Sequence, residues 1–132
     1  MKNMLRVSTL VIAAVALIGC QTSAKQSEAP ALSNAELTKL YLATQTVSWT
    51  NLENTASGTA TYGPAGRATT DWGGGSSKGT WRIVGNTVCT TWAAGSFRGA
   101  GVEECVTYHK TGEGKYNLVL PNGSVKYTNV FK

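Results

Sequence analysis

The sequence of 132 residues contains a single histidine, and this residue limits the acid–base chemistry available to the protein. His109 stands beside Lys110, near the end of a predicted strand, and no serine or cysteine nucleophile motif lies next to it. Nucleophilic catalysis requires a base within reach of the nucleophile and a third group that orients the base. His109 is therefore interpreted as a surface residue, and no catalytic residue is predicted.

The carboxylates do not form an obvious catalytic pair. Glu103 and Glu104 are adjacent on a predicted strand, so their side chains point to opposite faces of the sheet. A glycosidase places two carboxyl groups on either side of its substrate, so either glutamate would need a distant partner such as Asp71 or Glu113. A small hydrolase is the least favoured function, and no metal or other cofactor is predicted.

Two glycine-rich segments, Gly73–Lys78 and Ala93–Gly101, are candidate recognition loops. Aromatic and arginine side chains on the loops of a rigid sheet are typical of binding sites. A phosphate-binding loop is poorly supported, because that motif requires a strand before it and a helix after it. Plain flexible connections between strands are the alternative. The candidate ligand-binding residues are Arg67, Trp72, Trp92 and Arg98, although the alternation of Trp92 with the residues before it also fits the core.

The first 19 residues have the organisation of a signal peptide. Lys2 and Arg6 precede an apolar run, Val7–Ile18, that only Ser8 and Thr9 interrupt. A transmembrane helix needs about 20 apolar residues, so this run is too short to span a bilayer comfortably. A basic start, a short apolar stretch and a small exit residue are typical of an export signal.

The exit of this segment, Leu17-Ile18-Gly19-Cys20, resembles the lipobox of bacterial lipoproteins. The resemblance implies that Cys20 receives a diacylglycerol thioether, that cleavage follows Gly19, and that the new amino group is acylated with a fatty acid such as palmitate. Gln21 after the cysteine implies an outer-membrane address, facing the periplasm or the surface. The predicted organisation is signal peptide 1–19, lipidated tether 20–32 and folded domain 33–132. An ordinary signal peptide with an incidental cysteine is the alternative.

The charge of the exported part argues against nucleic acid as a partner. Removal of Lys2 and Arg6 lowers the net charge from +5 to +3. The remaining Lys and Arg residues are scattered singly, whereas a nucleic-acid surface requires them clustered on one face.

The remaining cysteines, Cys89 and Cys105, form an even pair in an exported protein. Oxidising compartments favour disulfides, so a bridge between them is expected. Free thiols or a metal site are the alternatives, although two cysteines and one histidine without a C-x-x-C spacing make a poor zinc set.

The spacing of the other residues predicts an all-β domain after one short helix. Ser33-Asn34-Ala35-Glu36 has the capping-box spacing, and the apolar residues that follow predict a helix over Asn34–Ala43. Short Thr-, Val- and aromatic-rich runs between glycine turns then predict an antiparallel meander, either a curled sheet or a small up-and-down barrel of about eight strands. The predicted strands are Thr46–Thr50, Gly58–Tyr62, Arg67–Trp72, Gly79–Val84, Thr87–Trp92, Val102–His109, Lys115–Leu120 and Val125–Phe131.

Alternation within these strands selects the predicted inner face. Trp81, Val88, Val106 and Leu118 share it with their alternate neighbours, while Thr80, Arg82, Thr87 and Thr91 form a polar outer face.

The stretch from Gly66-Arg67 through Trp72-Gly73-Gly74-Gly75 to Gly79-Thr80-Trp81 and Cys89 resembles an uncharacterised family of small exported bacterial β domains. Their shared pattern is a G-x-W-x-x-x-G-x-x-x-C hairpin with a second cysteine on the next strand. The resemblance covers Leu40–Lys132 and departs in the longer insert Ala93–Gly101. It implies the fold and the disulfide and brings no catalytic residues.

Two function classes follow. The first is a non-catalytic binding module for an envelope glycan or protein partner, attached to the membrane through Cys20. The second is an enzyme inhibitor, because membrane-bound lysozyme inhibitors are also small disulfide-bearing barrels. The W-x-K-G-x-x-A element of those inhibitors is missing here.

Overall fold

The computed structural model describes residues 29–93 and 101–132. The signal peptide, Cys20 and Arg98 lie outside the described residues. One helix and eight strands follow one another in the described part: α1 (Asn34–Leu40), β1 (Gln45–Asn51), β2 (Ser57–Tyr62), β3 (Arg67–Asp71), β4 (Ser76–Val84), β5 (Thr87–Trp92), β6 (Glu103–Gly112), β7 (Lys115–Val119) and β8 (Val125–Phe131).

The eight strands form a closed antiparallel barrel, which confirms the predicted all-β fold with one short helix. Each strand pairs with the next along the chain, and β8 closes the barrel on β1 with Val47 opposite Phe131. Consecutive pairing follows from the short turns. At the tightest of them, Gly85 adopts φ of +58°, which suits the first central residue of a hairpin turn.

The connections divide the barrel into two ends. The helix end carries α1 and the connections β2–β3, β4–β5 and β6–β7. The loop end carries the connections β1–β2, β3–β4, β5–β6 and β7–β8. Helix α1 begins with the predicted capping box, because Ser33 Oγ accepts from the Glu36 backbone N–H and Glu36 accepts from the Ser33 backbone N–H.

The inner face of the barrel is the predicted one, and it is packed with aromatic side chains. An eight-stranded barrel has an interior just wide enough for side chains to fill. Tyr41, which follows α1, closes the helix end by packing against Tyr62, Trp81 and Phe131. Its hydroxyl lies 2.6 Å from that of Tyr108. Burial, with Tyr108 nearby, raises the pKa of Tyr41 well above its usual value, so this phenol stays neutral.

Two inward-facing glycines make room for tryptophans of neighbouring strands. Gly58 lies opposite Trp49, and Gly79 lies opposite Trp92. A Cβ at either glycine would come within 2.8 Å of the tryptophan ring. Each tryptophan ring therefore covers the backbone of the glycine opposite it. Aromatic side chains placed in this way stabilise glycines in sheets.

Three element bounds differ from the prediction by three residues, and six others differ by one. Strand β4 begins at Ser76, because Ser76–Lys78 pair with β3 and do not form a free loop. Strand β6 extends to Gly112 through its pairing with β7. Helix α1 ends at Leu40, three residues early, where Tyr41 turns its backbone to place its ring in the core.

The disulfide between Cys89 and Cys105 is present, as expected. The two residues lie directly opposite each other on β5 and β6. Their side chains point to the outer face, since Val88 and Val106 beside them point inward.

Candidate functional site

The interior of the barrel does not offer a ligand pocket among the described residues. A cavity of about 20 Å³ lies between the side chains of Tyr62, Val88, Tyr108 and Tyr127. That volume accommodates one water molecule, whereas ligand sites measure about 300–1,000 Å³.

An ion pair lies at the mouth of this cavity, towards the loop end. Lys126 Nζ donates to Glu104 Oε2 at 2.7 Å, and both side chains are about three-quarters or more shielded from solvent. Burial by itself lowers the pKa of Lys126, but the hydrogen bond to Glu104 and the neighbouring Tyr127 outweigh it, so the pKa is raised. Lys126 therefore stays charged, and its ion pair with Glu104 lies over the cavity at the loop end.

The adjacent glutamate, Glu103, has a different role on the outer face, as alternation predicted. Arg82 Nε and Nη2 donate to its two oxygens at 2.9 and 2.7 Å, a bidentate pair. The hydrogen bond from Arg82 lowers the pKa of Glu103. Cys89, Cys105 and Glu103 bring three potential ligand atoms within 4.8 Å, but the sulfurs are bonded to each other, and thiolates are required for metal binding.

The three predicted ligand-binding residues that the structure describes are not brought together. Trp72 lies at the loop end, in the β3–β4 connection. Arg67 begins β3 and lies at the helix end, because β3 runs from one end of the barrel to the other. Trp92 is 3% exposed and belongs to the core. Arg98 lies outside the described residues.

The predicted recognition loop Gly73–Lys78 is shorter than expected. The backbone N–H of Trp72 donates to the Gly75 carbonyl at 3.1 Å, which makes a tight turn between two strands. The Trp72 ring folds over this turn and packs partly against the core. A strand, and not the helix that a phosphate-binding loop requires, follows this turn.

The loop end presents a surface that the sequence analysis missed. Leu52, in the β1–β2 connection, is 48% exposed, and Val102, before β6, is 66% exposed. Glu53 and Asp71 are also exposed at this end, whereas the exposed Glu103 is paired with Arg82. The only signal in the sequence was an apolar residue beside each turn, which is also common in loops without function.

His109 has a structural role, so its interpretation as a simple surface residue is wrong. Its Nδ1–H donates to the Ala29 carbonyl at 2.7 Å, and Nε2 lies 3.0 Å from Thr107 Oγ1. Ala31 bridges to His109, and the Leu32 N–H donates to the Tyr108 carbonyl. Strand β6 extends beyond its pairing with β5, and residues 29–32 occupy the edge of β6 that β5 leaves unpaired. The packed domain therefore begins within the predicted tether.

Replacement of His109 by alanine is expected to release this segment without unfolding the barrel. The variant loses one hydrogen bond to Ala29, worth about 0.5–1.5 kcal/mol. Hydrogen exchange at the Leu32 amide should therefore accelerate roughly tenfold, while the urea midpoint changes little. Lys110→Ala, at an exposed neighbouring position, is the control. Unchanged exchange at Leu32 in the His109 variant would contradict the role.

A groove of about 530 Å³ lies at the helix end, between α1 and the β6–β7 hairpin. Leu32, Leu40 and Tyr116 line it together with two lysines and two glutamates, Lys39, Lys110, Glu36 and Glu113. The charges of this lining balance, and Glu36 is occupied by the capping box, which lowers its pKa. The groove is therefore not in itself a site for an anion.

No protein-family model, characterised protein or solved structure matches this chain. None of the helical segments in the described residues has the length and apolar character needed to cross a bilayer.

Proposed function

We propose that this protein is an exported envelope lipoprotein, attached to the outer membrane through Cys20, that binds a partner without catalysis. The observation that carries the proposal is that two of the five exposed large apolar side chains of the described residues lie at the end of the barrel opposite the incoming chain. Leu52 and Val102 lie at the loop end, whereas the chain enters the barrel at the helix end, where Ala29 contacts His109. A membrane anchor upstream of Ala29 leaves the loop end accessible.

The chemistry of the loop end favours a protein partner over a glycan. Apolar side chains at the centre of a patch and charged groups at its rim are typical of protein interfaces. Leu52 and Val102 supply exposed apolar area on the β1–β2 and β5–β6 connections, and Glu53 and Asp71 add exposed carboxylates at the same end. Trp72 lies at the same end and provides an aromatic side chain of the kind enriched at interfaces. A partner with a positively charged surface complements this end.

An enzyme inhibitor is the second candidate. The acidic loop end complements a positively charged enzyme, and rigid barrels pay little conformational entropy on binding. The partner would then be a cell-wall hydrolase of the lysozyme type, as the shared architecture suggests.

The experiment compares binding of the anchored protein and two matched valine variants. Val102→Asp places a charge in the loop-end surface, and Val84→Asp does so at an exposed valine of the helix end. Envelope protein extract and isolated peptidoglycan are offered separately, so the two ligand classes are distinguished. Val102→Asp should weaken binding at least tenfold, which corresponds to 1.4 kcal/mol, while Val84→Asp should not. Equal losses in both variants, or a hydrolytic activity lost in His109→Ala, would contradict the proposal.

The anchor is tested on its own. Intact mass of the wild type should show acyl chains on Cys20, and Cys20→Ser should remain unprocessed, since neither the thioether nor the acylated terminus can form. A wild-type protein without lipid mass would exclude the anchor and leave the binding experiment unaffected.

A further inference from the structure

Charge is distributed unequally between the two ends of the barrel. Among the described residues, the helix end carries five cations against two carboxylates, Glu36 and Glu113. The loop end carries two lysines, Lys78 and Lys126, against Glu53, Asp71 and Glu104, while the remaining pair, Arg82 with Glu103, is neutral. The five cations, which we call the basic end, are Lys39, Arg67, Lys110, Lys115 and Lys132.

The cations of the basic end are available to a partner. All five side chains are exposed. Within residues 29–93 and 101–132, Lys110 alone among them lies within 4.0 Å of a carboxylate, at 3.6 Å from the fully exposed Glu113. The lysines of the loop end differ, because Lys126 is bound to Glu104. Four of the five cations therefore have no carboxylate of the described residues within 4.0 Å.

Exposed apolar side chains stand among these cations. Leu42, just after α1, is 76% exposed, and its backbone N–H donates to the Lys39 carbonyl. Val130 is 37% exposed and lies opposite Lys115 in the β7–β8 register. Apolar side chains surrounded by lysine and arginine are typical of surfaces that contact lipid headgroups.

The chain enters the barrel at the same end. The segment that contains Ala31 runs antiparallel to β6, which places Ala29 near the helix-end terminus of that strand. Eight residues lie between Cys20 and Ala29, and the nine steps from one to the other can span about 30 Å at most. An acylated Cys20 would therefore hold the basic end close to the bilayer.

We propose that the basic end is a docking surface for anionic lipid headgroups, which holds the barrel with its loop end directed away from the membrane. The proposal rests on the lipid anchor at Cys20 proposed above. The anchor supplies attachment, and the basic end supplies orientation. A partner would then meet the loop end first.

The magnitudes favour this orientation. Each Lys or Arg near an anionic membrane strengthens binding about fivefold, which corresponds to about 1 kcal/mol. The strands are five to ten residues long and tilt by about 40° in a barrel, so they separate the carboxylates of the loop end from the basic end by roughly 15 Å along the barrel axis. That separation exceeds the Debye length of about 8 Å, so the loop-end carboxylates barely repel the membrane.

The test measures the height of each end above the bilayer in the anchored full-length protein. Its intact mass is determined first, so that a missing anchor is recognised independently. Nitroxide labels are attached at Leu42→Cys or Leu52→Cys, one at each end. A nickel chelate on the lipid headgroups relaxes a nearby nitroxide. In vesicles that contain phosphatidylglycerol, the label at position 42 should relax strongly and the label at position 52 should not.

Charge variants distinguish docking from simple proximity to the anchor. A triple variant that removes three lysines of the basic end should lower the ratio of docked to undocked protein about a hundredfold. It combines Lys110→Ala, Lys115→Ala and Lys132→Ala. Lys78→Ala, at the loop end, is the control and should change nothing. High salt or pure phosphatidylcholine vesicles should reproduce the effect of the triple variant.

Equal relaxation of both labels, or relaxation at position 42 that is insensitive to salt and to phosphatidylglycerol, would overturn the proposal. Preferential relaxation at position 52 would overturn both the docking surface and the accessible loop end. If no lipid mass is found, flotation of the protein with the same vesicles tests the basic end without the anchor.

Discussion

Replacement of Trp92 by alanine is expected to destabilise the barrel by about 3–5 kcal/mol. The ring is 3% exposed and covers Gly79 on the neighbouring strand. Glycine has no side chain that could move into the space, so the cavity would persist. A loss of this size is a large part of the 5–15 kcal/mol that stabilises an ordinary domain. Urea denaturation followed by circular dichroism measures it.

Trp72→Ala is the matched control for this variant. The Trp72 ring lies partly buried on the β3–β4 turn, so its loss should cost only about 1 kcal/mol. If Trp92 contacts no ligand, its variant should bind normally below its melting temperature, whereas Trp72→Ala should bind more weakly. Equal destabilisation by the two substitutions would contradict the division between core and surface.

Removal of the disulfide is expected to destabilise the protein by about 3 kcal/mol. Cys89 and Cys105 are 16 residues apart. Closing a loop of that length lowers the conformational entropy of the unfolded chain, which raises its free energy by about 3 kcal/mol. The barrel should stay folded, because β5 and β6 remain paired through Val88–Thr91. The double variant Cys89→Ala with Cys105→Ala should lower the urea midpoint accordingly.

Reductant provides the control for this second prediction. It should shift the midpoint of the wild type to that of the double variant and leave the variant unchanged. Two free thiols in the unreduced wild type would exclude the bridge.

Much of the fold could be predicted from local patterns. Strands β5 and β8 have the predicted bounds, because Gly85-Asn86 and Asn122-Gly123 fix where the preceding turns end. Alternation selected the inner face, since side chains on a strand point to opposite sides. The capping box located the start of α1.

The start of β4 and the end of β6 could not be predicted in the same way. Ser76–Lys78 have low strand propensity and extend β4 because β3 supplies backbone partners. Lys110 and Gly112 belong to β6 because β7 pairs with them. Pairing with the neighbouring strand decides such bounds, and the residue types of the segment itself do not reveal it.

By itself, the sequence determined an all-β domain of short, sequentially paired strands, preceded by one helix and bridged by the two cysteines. These properties depend on neighbours in sequence and on residue type. Only the tertiary structure decided which end of the barrel each side chain occupies. It separated Arg67 from Trp72 by the length of β3, turned Trp92 into the core and placed His109 against the incoming chain. The physical reason is barrel closure, because strand length and register assign each residue to an end and a face.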